Sequence, residues 1–283
     1  MFVFKAAVVG AGTMGGEIAH VIADADIPVI LKDVEERFVE QGLEKARSLW
    51  QAQVDAGKLS PDEQERRLGL IVGTTGYESF GTVDFVIEAV PERIEVKQVV
   101  FSELDEMTPG HAILASNTSS LPVTEMAQVT RRPDKVVGFH FFYPASMMRL
   151  IEVIQGEDTA PETTQAAMNF AQAIRKTPIR CGEAPGFVVN RVLNSCASEL
   201  GRLQEEAGID VEELDRLVTD SKAAPVGPFY LADLLGLDTV VDVAEHLHGA
   251  YGESFHVHGG MRKLVAEGKL GAKTGQGFYE HGS

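Results

Sequence analysis

Phe2-Val-Phe-Lys-Ala-Ala-Val-Val9-Gly10-Ala-Gly-Thr-Met-Gly15-Gly-Glu-Ile18-Ala-His-Val-Ile22-Ala23, running on to Ile27-Pro-Val-Ile-Leu31-Lys-Asp33, decides the fold. Phe2–Val9 is apolar, rich in β-branched and aromatic residues and closed by glycine, which predicts a strand. Ile18, Ala19, Ile22 and Ala23 then recur at helical spacing, and Ile27–Leu31 is a second short apolar strand. A strand, a glycine turn, a helix and a strand in about 30 residues make a βαβ unit. The turn carries Gly10-x-Gly12-x-x-Gly15, with Ala11, Thr13 and Met14 between and beside the glycines. In that place the glycines have distinct uses: a tight turn at Gly10, close approach of a pyrophosphate at Gly12, and close helix–sheet packing at Gly15. The helix N-terminus offers free N–H groups and a positive dipole to a diphosphate. Asp33, at the end of the second strand, is placed to take adenosine ribose hydroxyls. A carboxylate followed by Val34, Glu35 and Glu36, with no adjacent arginine, favours NAD over NADP. The competing reading is a glycine turn in another kind of α/β protein.

Outward from this unit the chain stays α/β for most of its length. Val39, Leu43, Ala46, Trp50 and Val54 fall on one helix face. Gly57 ends that helix, and Ser60-Pro61-Asp62-Glu63 opens another, with Ser60 as N-cap, Pro61 in the first turn and Glu63 completing a capping box. A helical hairpin arm is expected here. Strands are predicted at Gly69–Gly73, Asp84–Val90, Ala112–Ser116, Lys135–His140 and Leu150–Ile154, and helices at Ile94–Met107 and Glu162–Ile174. Beyond Cys181-Gly-Glu-Ala-Pro-Gly186 the pattern turns helical: Phe187–Ala207, Val211–Thr219, Phe229–Leu247 and Met261–Glu267. The expected fold class is α/β, a Rossmann-type N-terminal domain (residues 1–182) with a helical hairpin arm, followed by an all-α C-terminal domain (residues 183–283).

Composition limits the functions available. The chain has 283 residues, 44% hydrophobic and 24% charged, with 25 basic against 42 acidic residues and a net charge of −17. That balance argues against nucleic acid or anionic membrane as a partner, since both are bound through excess Lys and Arg. No apolar run is long enough to span a bilayer, and the glycines that crowd the first apolar stretch fit a strand and turn rather than a signal peptide. Cys181 and Cys196 form no zinc spacing, so no metal site is expected and a reducing cytoplasm fits.

Further motifs follow in order: Val86-Ile-Glu-Ala-Val-Pro-Glu92, Ala115-Ser-Asn-Thr-Ser-Ser120, Gly138-Phe-His-Phe-Phe-Tyr-Pro144, Leu150-Ile-Glu-Val153, Ala184-Pro-Gly-Phe-Val-Val-Asn-Arg191, Val226-Gly-Pro-Phe229, Gly236-Leu-Asp238 and Lys273-Thr-Gly-Gln-Gly-Phe-Tyr279. In type, order and spacing the chain resembles the L-3-hydroxyacyl-CoA dehydrogenase family along nearly its whole length. The resemblance implies NAD-dependent oxidation of the 3-hydroxyl of an acyl-CoA to a ketone, in fatty-acid β-oxidation or 3-hydroxybutyryl-CoA metabolism, with no room for a hydratase domain in this length. It implies that His140 is the general base and that Glu152 holds it. Histidine suits the task because its pKa lies near neutrality. Read alone, His140 fits a loop or core histidine equally, and Glu152, a charge in an apolar strand, either has a partner or faces solvent.

By the same resemblance Ser119 bonds the substrate 3-oxygen near the nicotinamide, and Asn190 reaches toward the substrate. Ser119 also suits ordinary turn or cap chemistry, and Asn190, with Asn194 four residues on, a helix–helix hydrogen bond. Glu92, Lys97 and Lys273 match cofactor-side positions, Lys97 being otherwise a solvated surface lysine. Tyr143 stands where the family has asparagine in His-Phe-Phe-Asn-Pro, a departure that bears on cofactor position or the acyl pocket. The nucleotide part of CoA is expected on the arm, where Lys45, Arg47 and Lys58 are candidates among six basic and eight acidic residues from Glu35 to Gly69. Phe229-Tyr-Leu-Ala-Asp-Leu-Leu-Gly-Leu is very apolar, and the resemblance implies a homodimer through the C-terminal domain. Two other readings keep the scaffold: a dehydrogenase of a free 3-hydroxy acid, of gulonate or carnitine type, and a non-catalytic crystallin-like protein.

Overall fold

The computed structural model describes residues 2–282. Residues of β1 (Ala6–Val9), β2 (Val29–Lys32), β4 (Phe85–Glu88) and β5 (Ile113–Ser116) are all buried. Such uninterrupted apolar strands belong in a parallel sheet covered on both faces. With β3 (Ile71–Thr74), β6 (Val136–Phe141), β7 (Leu150–Gln155) and β8 (Thr177–Gly182) they form one sheet ordered β3-β2-β1-β4-β5-β6-β7-β8. Strands β1 to β6 run parallel; β7 is antiparallel to β6, and β8 is parallel to β7. The strand order reverses between β1 and β4, and the crevice outside the carboxyl ends of strands at such a point is where α/β sheets bind ligands.

The ladder begins at Ala6, not Phe2. The Phe4 and Lys5 N–H groups donate instead to Asp84 Oδ2, at 2.7 and 3.1 Å, and Phe2 and Phe4 are exposed. Helix α1 (Thr13–Asp24) follows the glycine turn. In the arm, α2 (Glu36–Asp55) buries Val39, Gly42, Ala46 and Trp50, the expected face. In α3 (Pro61–Leu68) the Ser60 hydroxyl accepts from the Glu63 N–H at 3.2 Å, but the capping box stays half-made. Glu63 turns to Arg66 and Arg67, 2.8 Å from the Nε of each. Helix α4 (Ile94–Met107) keeps the predicted limits, and α6 (Pro161–Ala173) nearly so. A short α5 (Val123–Ala127) and the edge strand β8 were not expected.

The chain divides into two compact units, Met1–Phe187 and Val188–Ser283. The division falls later than residue 182 because Gly182–Phe187 remains tied to the first unit: the Glu183 N–H donates to the Gln155 carbonyl oxygen of β7 at 3.2 Å, and Glu183 Oε2 accepts from the Thr124 N–H and hydroxyl of α5 at 2.8 and 3.0 Å. The second unit comprises α7 (Val189–Ala207), α8 (Val211–Asp220), α9 (Pro228–Leu235), α10 (Leu237–Tyr251) and α11 (Gly259–Ala266). The single helix expected over Phe229–Leu247 is broken at Gly236, whose φ of +94° is open to glycine and costly for other residues. Buried Asp215 accepts from the Phe229 and Tyr230 N–H groups at the start of α9 and from the Tyr279 hydroxyl. Asp233 accepts from the Phe278 and Tyr279 N–H groups and pairs with His281. Two buried acids thus fasten the Lys273–Tyr279 motif within its own unit. No helix among the described residues is long and apolar enough to cross a membrane.

Candidate active site

The glycine turn sits at the switch point. A Cβ on Gly10 (φ +101°) would stand 2.5 Å from the Ala89 carbonyl oxygen, and one on Gly15 would stand 1.7 Å from that of Gly10. Both glycines are therefore required by close backbone approach. A Cβ on Gly12 would meet nothing within 4 Å, so the surface in front of α1 is open. Gly12 is the N-cap and supplies no side-chain acceptor, which leaves the first N–H groups of α1 for an external acceptor. Asp33 Oδ2 accepts from the Ala11 N–H at 2.6 Å and Oδ1 from the Val34 N–H at 2.7 Å. It holds the turn and keeps lone pairs for ribose hydroxyls. This cradle suits a diphosphate and an adenosine ribose, as NAD would present, with no basic residue bonded to Asp33 among the described residues.

Across the switch point lies a charged cluster at the ends of β4 and β5. Glu88 and Ser116 are register partners, and the Ser116 hydroxyl donates to Glu88 Oε2 at 2.6 Å. Glu88 Oε1 accepts from Lys97 Nζ and from the Val90 N–H, each at 2.7 Å. Lys97, expected near the cofactor or else on a solvated surface, is only 1% exposed. It also lies 3.1 Å from Glu92 Oε2. Glu92 Oε1 in turn accepts from the Thr118 hydroxyl at 2.6 Å and from the Ser119 N–H at 2.9 Å, with the Ser119 hydroxyl at 3.3 Å. The structure therefore brings Glu92, Lys97 and Ser119 together. Burial raises the Glu88 pKa more than Lys97, Ser116 and Val90 lower it. Burial acts the same way on Glu92, but Lys97, Thr118 and the Ser119 N–H outweigh it and its pKa is lowered.

His140 and Glu152 face each other directly in the antiparallel β6–β7 ladder. His140 Nδ1 lies 2.9 Å from Glu152 Oε2, and the two residues are 7% and 0% exposed. Strand register alone makes this pair, because opposed residues in a ladder point to the same face. Phe142 and Phe187 flank the imidazole at ring distances of 4.6 and 6.1 Å. A residue not singled out from sequence, Asn117, couples this strand to the Ser116–Ser120 turn: its Oδ1 accepts from the Phe141 N–H at 2.9 Å. Glu88 was likewise missed, although a carboxylate ending the apolar run Phe85–Ile87 was the available signal. Tyr143 is 61% exposed and points no hydrogen bond into this network among the described residues.

Two of the three arm candidates are paired, and exposed Lys58 makes no ion pair among the described residues. Lys45 Nζ pairs with buried Glu17 at 3.1 Å, and Arg47 with Glu44 at 3.4 Å. In the second unit, Asn190 lies in the first turn of α7 and is half-buried. The Asn194 side chain donates to the Asn190 carbonyl oxygen at 2.9 Å, so it satisfies its own helix rather than another. Lys273 pairs with Asp238 of the Gly236-Leu-Asp238 motif.

Known proteins match over the whole of this architecture. Family models described as "3-hydroxyacyl-CoA dehydrogenase, NAD binding domain" and "3-hydroxyacyl-CoA dehydrogenase, C-terminal domain" match residues 5–184 and 186–281. The "Probable 3-hydroxybutyryl-CoA dehydrogenase" of Deinococcus radiodurans is 37% identical over 98% of this chain and 100% of its own. That of Bacillus subtilis is 39% identical over 97% of this chain and 96% of its own. The crystal structure of (S)-3-hydroxybutyryl-CoA dehydrogenase from Ralstonia eutropha has a TM-score of 0.96 and 34% identity, with both chains fully covered. With the glycine cradle and the buried histidine–glutamate pair on one sheet, and both family models matched end to end, this chain belongs to the 3-hydroxyacyl-CoA dehydrogenase family.

Proposed function

We propose that the chain catalyses the reversible NAD-dependent oxidation of (3S)-3-hydroxyacyl-CoA to 3-oxoacyl-CoA, with His140 as the group that moves the hydroxyl proton. The 2.9 Å contact between His140 Nδ1 and Glu152 Oε2 carries this reading. A carboxylate acceptor at Nδ1 fixes the proton there and leaves Nε2 as the lone-pair nitrogen. Nε2 takes the hydroxyl proton, and Glu152 stabilises the imidazolium that results. NAD held by Gly10–Gly15 and Asp33 would supply the hydride acceptor for C3, the carbon that bears the hydroxyl. In reduction His140 returns the proton. Ser119 orients the substrate oxygen through its hydroxyl, and Glu92 holds the Ser119 backbone for that purpose. Asn190 contacts the acyl group from α7. Gly10–Gly15 and Asp33 hold the diphosphate and adenosine ribose, Glu92 and Lys97 the nicotinamide-side ribose, and Lys273 and Tyr143 complete the cofactor contacts.

The test is NADH absorbance with acetoacetyl-CoA, longer 3-oxoacyl-CoAs and free 3-hydroxy acids side by side. Turnover is expected with the thioesters. Activity confined to free acids would move the substrate to the other scaffold-sharing class, and no change with any compound would favour the non-catalytic one.

The homodimer we also infer has support in α9, where Leu231, Leu234 and Leu235 are exposed, and in α7, where Val192 and Leu193 are. An apolar surface of this kind marks an interaction site. Sedimentation is expected to give twice the chain mass; a monomer contradicts the inference. A reducing cytoplasm is the compartment we assign, one that would keep buried Cys181 and exposed Cys196 as thiols.

A further inference from the structure

We propose that Asn117 is a positioning residue, whose side chain sets the spacing between the Ser119 hydroxyl and the His140 imidazole. This rests on the dehydrogenase reading above and deepens it. That reaction needs both groups on one substrate oxygen, and the register of β6 with β7 accounts for His140 alone. Two groups acting on one atom must be closely placed, and a displacement of about 1 Å can cost about a hundredfold in rate.

The need for such a residue comes from the sheet. Ser119 lies three residues beyond the end of β5. The β5–β6 ladder pairs Leu114 with Val136, Ala115 with Val137 and Ser116 with Gly138. There it stops, while β6 runs on to Phe141. His140 is therefore carried on a stretch whose neighbour on the β5 side has ended. On the β7 side that stretch stays paired, Phe139 with Val153, His140 with Glu152 and Phe141 with Ile151. The Phe141 N–H would lack a strand acceptor, and an unpaired backbone donor away from water is costly. Asn117 Oδ1 accepts it at 2.9 Å. One side-chain oxygen thus takes the place of the backbone acceptor that a longer β5 would supply.

Asn117 is itself fixed, and so is the turn it opens. The Asn117 N–H donates to the Glu88 carbonyl oxygen of β4 at 2.8 Å. The N–H of buried Thr118 donates to Ser116 Oγ at 3.2 Å. Thr118 Oγ1 accepts from the Ser120 and Leu121 N–H groups at 3.3 and 2.8 Å. A turn closed on its own side chains moves as one body, so Ser119 goes where Asn117 goes. Among the described residues no other hydrogen bond joins residues 117–120 to β6. The bond to Phe141 is the direct tie between the hydroxyl on the turn and the imidazole one residue before Phe141. The Asn117 amide nitrogen has no partner among the described residues, so aspartate in its place would keep the acceptor and lose no other bond.

The experiment measures kcat and KM for acetoacetyl-CoA and NADH in Asn117→Ala, Asn117→Asp, Ser119→Ala and the double variant Asn117→Ala/Ser119→Ala. Asn117→Ala is expected to lower kcat about thirtyfold. Its KM for NADH should stay within about twofold of wild type, since the glycine cradle and Asp33 do not use this bond. Asn117→Asp should recover most of the loss. The double variant should be no slower than Ser119→Ala, because the spacing has no effect once the hydroxyl is gone. If the alanine variant does not fold, Asn117→Ser, with a side chain too short to keep the bond, replaces it with the same expectations. Wild-type kcat in Asn117→Ala overturns the inference and leaves the function standing. So does an equal loss in Asn117→Asp, which would assign the role to the amide nitrogen, and so do losses that multiply in the double variant. A wild-type protein that reduces no thioester contradicts the function, and the inference with it.

Discussion

Two carboxylates with no exposed surface anchor the two halves of the candidate site, and they are held in different ways. Glu152 meets His140 through the register of two neighbouring strands. Glu88 meets Ser116 through register, but its cationic partner, Lys97, arrives from α4. The first pair is built to hold one imidazole, whose other nitrogen is left for chemistry. The second is a closed network in which Lys97 is gripped by two carboxylates and Glu92 passes that order on to Ser119. In the proposed reaction one carboxylate serves a proton transfer, while the other sets the position of a turn. The comparison predicts that breaking the first pair alters kcat with little loss of fold, and that breaking the second loses stability as well.

The largest effect is expected from His140→Gln, which removes the proposed base and should lower kcat by about a thousandfold, within the range general acid–base catalysis supplies. Steady-state kinetics with an unchanged thermal midpoint would bear out the division. Glu88→Gln comes next. Leaving Lys97 buried with a neutral neighbour should cost about 3 kcal/mol, as breaking a buried ion pair does. Urea unfolding checks this, and a loss under about 1 kcal/mol would show that Glu92 alone suffices for Lys97. Glu152→Gln keeps shape but weakens the hold on the imidazolium, so kcat should drop about a hundredfold, or about 2.7 kcal/mol.

The smallest effect concerns pH. Burial, the largest cause, lowers the His20 pKa from 6.5 to about 4, against the raising influence of Asp24 and Glu17. Between those values the unfolded chain takes up a proton that the folded chain refuses. The stabilisation is therefore complete above the unfolded value and is lost as pH falls toward the folded one. Stability should decline by about 2 kcal/mol from pH 7 to pH 5. His20→Phe should flatten that slope, measured by urea midpoints at the two pH values; an equal slope in both proteins would assign the effect elsewhere.

Much of this was legible in the sequence where the signal was local. The glycine spacing, the apolar strands and the limits of α4 follow from patterns within a few residues of one another. The His140–Glu152 pair was reached through the motifs of a resembling family, since a separation of twelve residues hides a ladder contact from periodicity. Lys97 gave no local sign of burial, because its partners Glu88 and Glu92 become neighbours only when α4 folds back beside β4 and β5. Strand β8 escaped because Pro178 and Arg180 interrupt any alternation and most of the strand is not buried. The break at Gly236 was hidden by the apolar residues on either side, which read as one helix.

The most direct test of the central claim is the double variant His140→Gln/Glu152→Gln assayed beside its two single variants with acetoacetyl-CoA and NADH. Residues that act as one unit are not additive. The double variant should therefore be no slower than His140→Gln alone. If the two losses multiply instead, Glu152 acts independently of His140, and the buried pair is not the device that moves the proton.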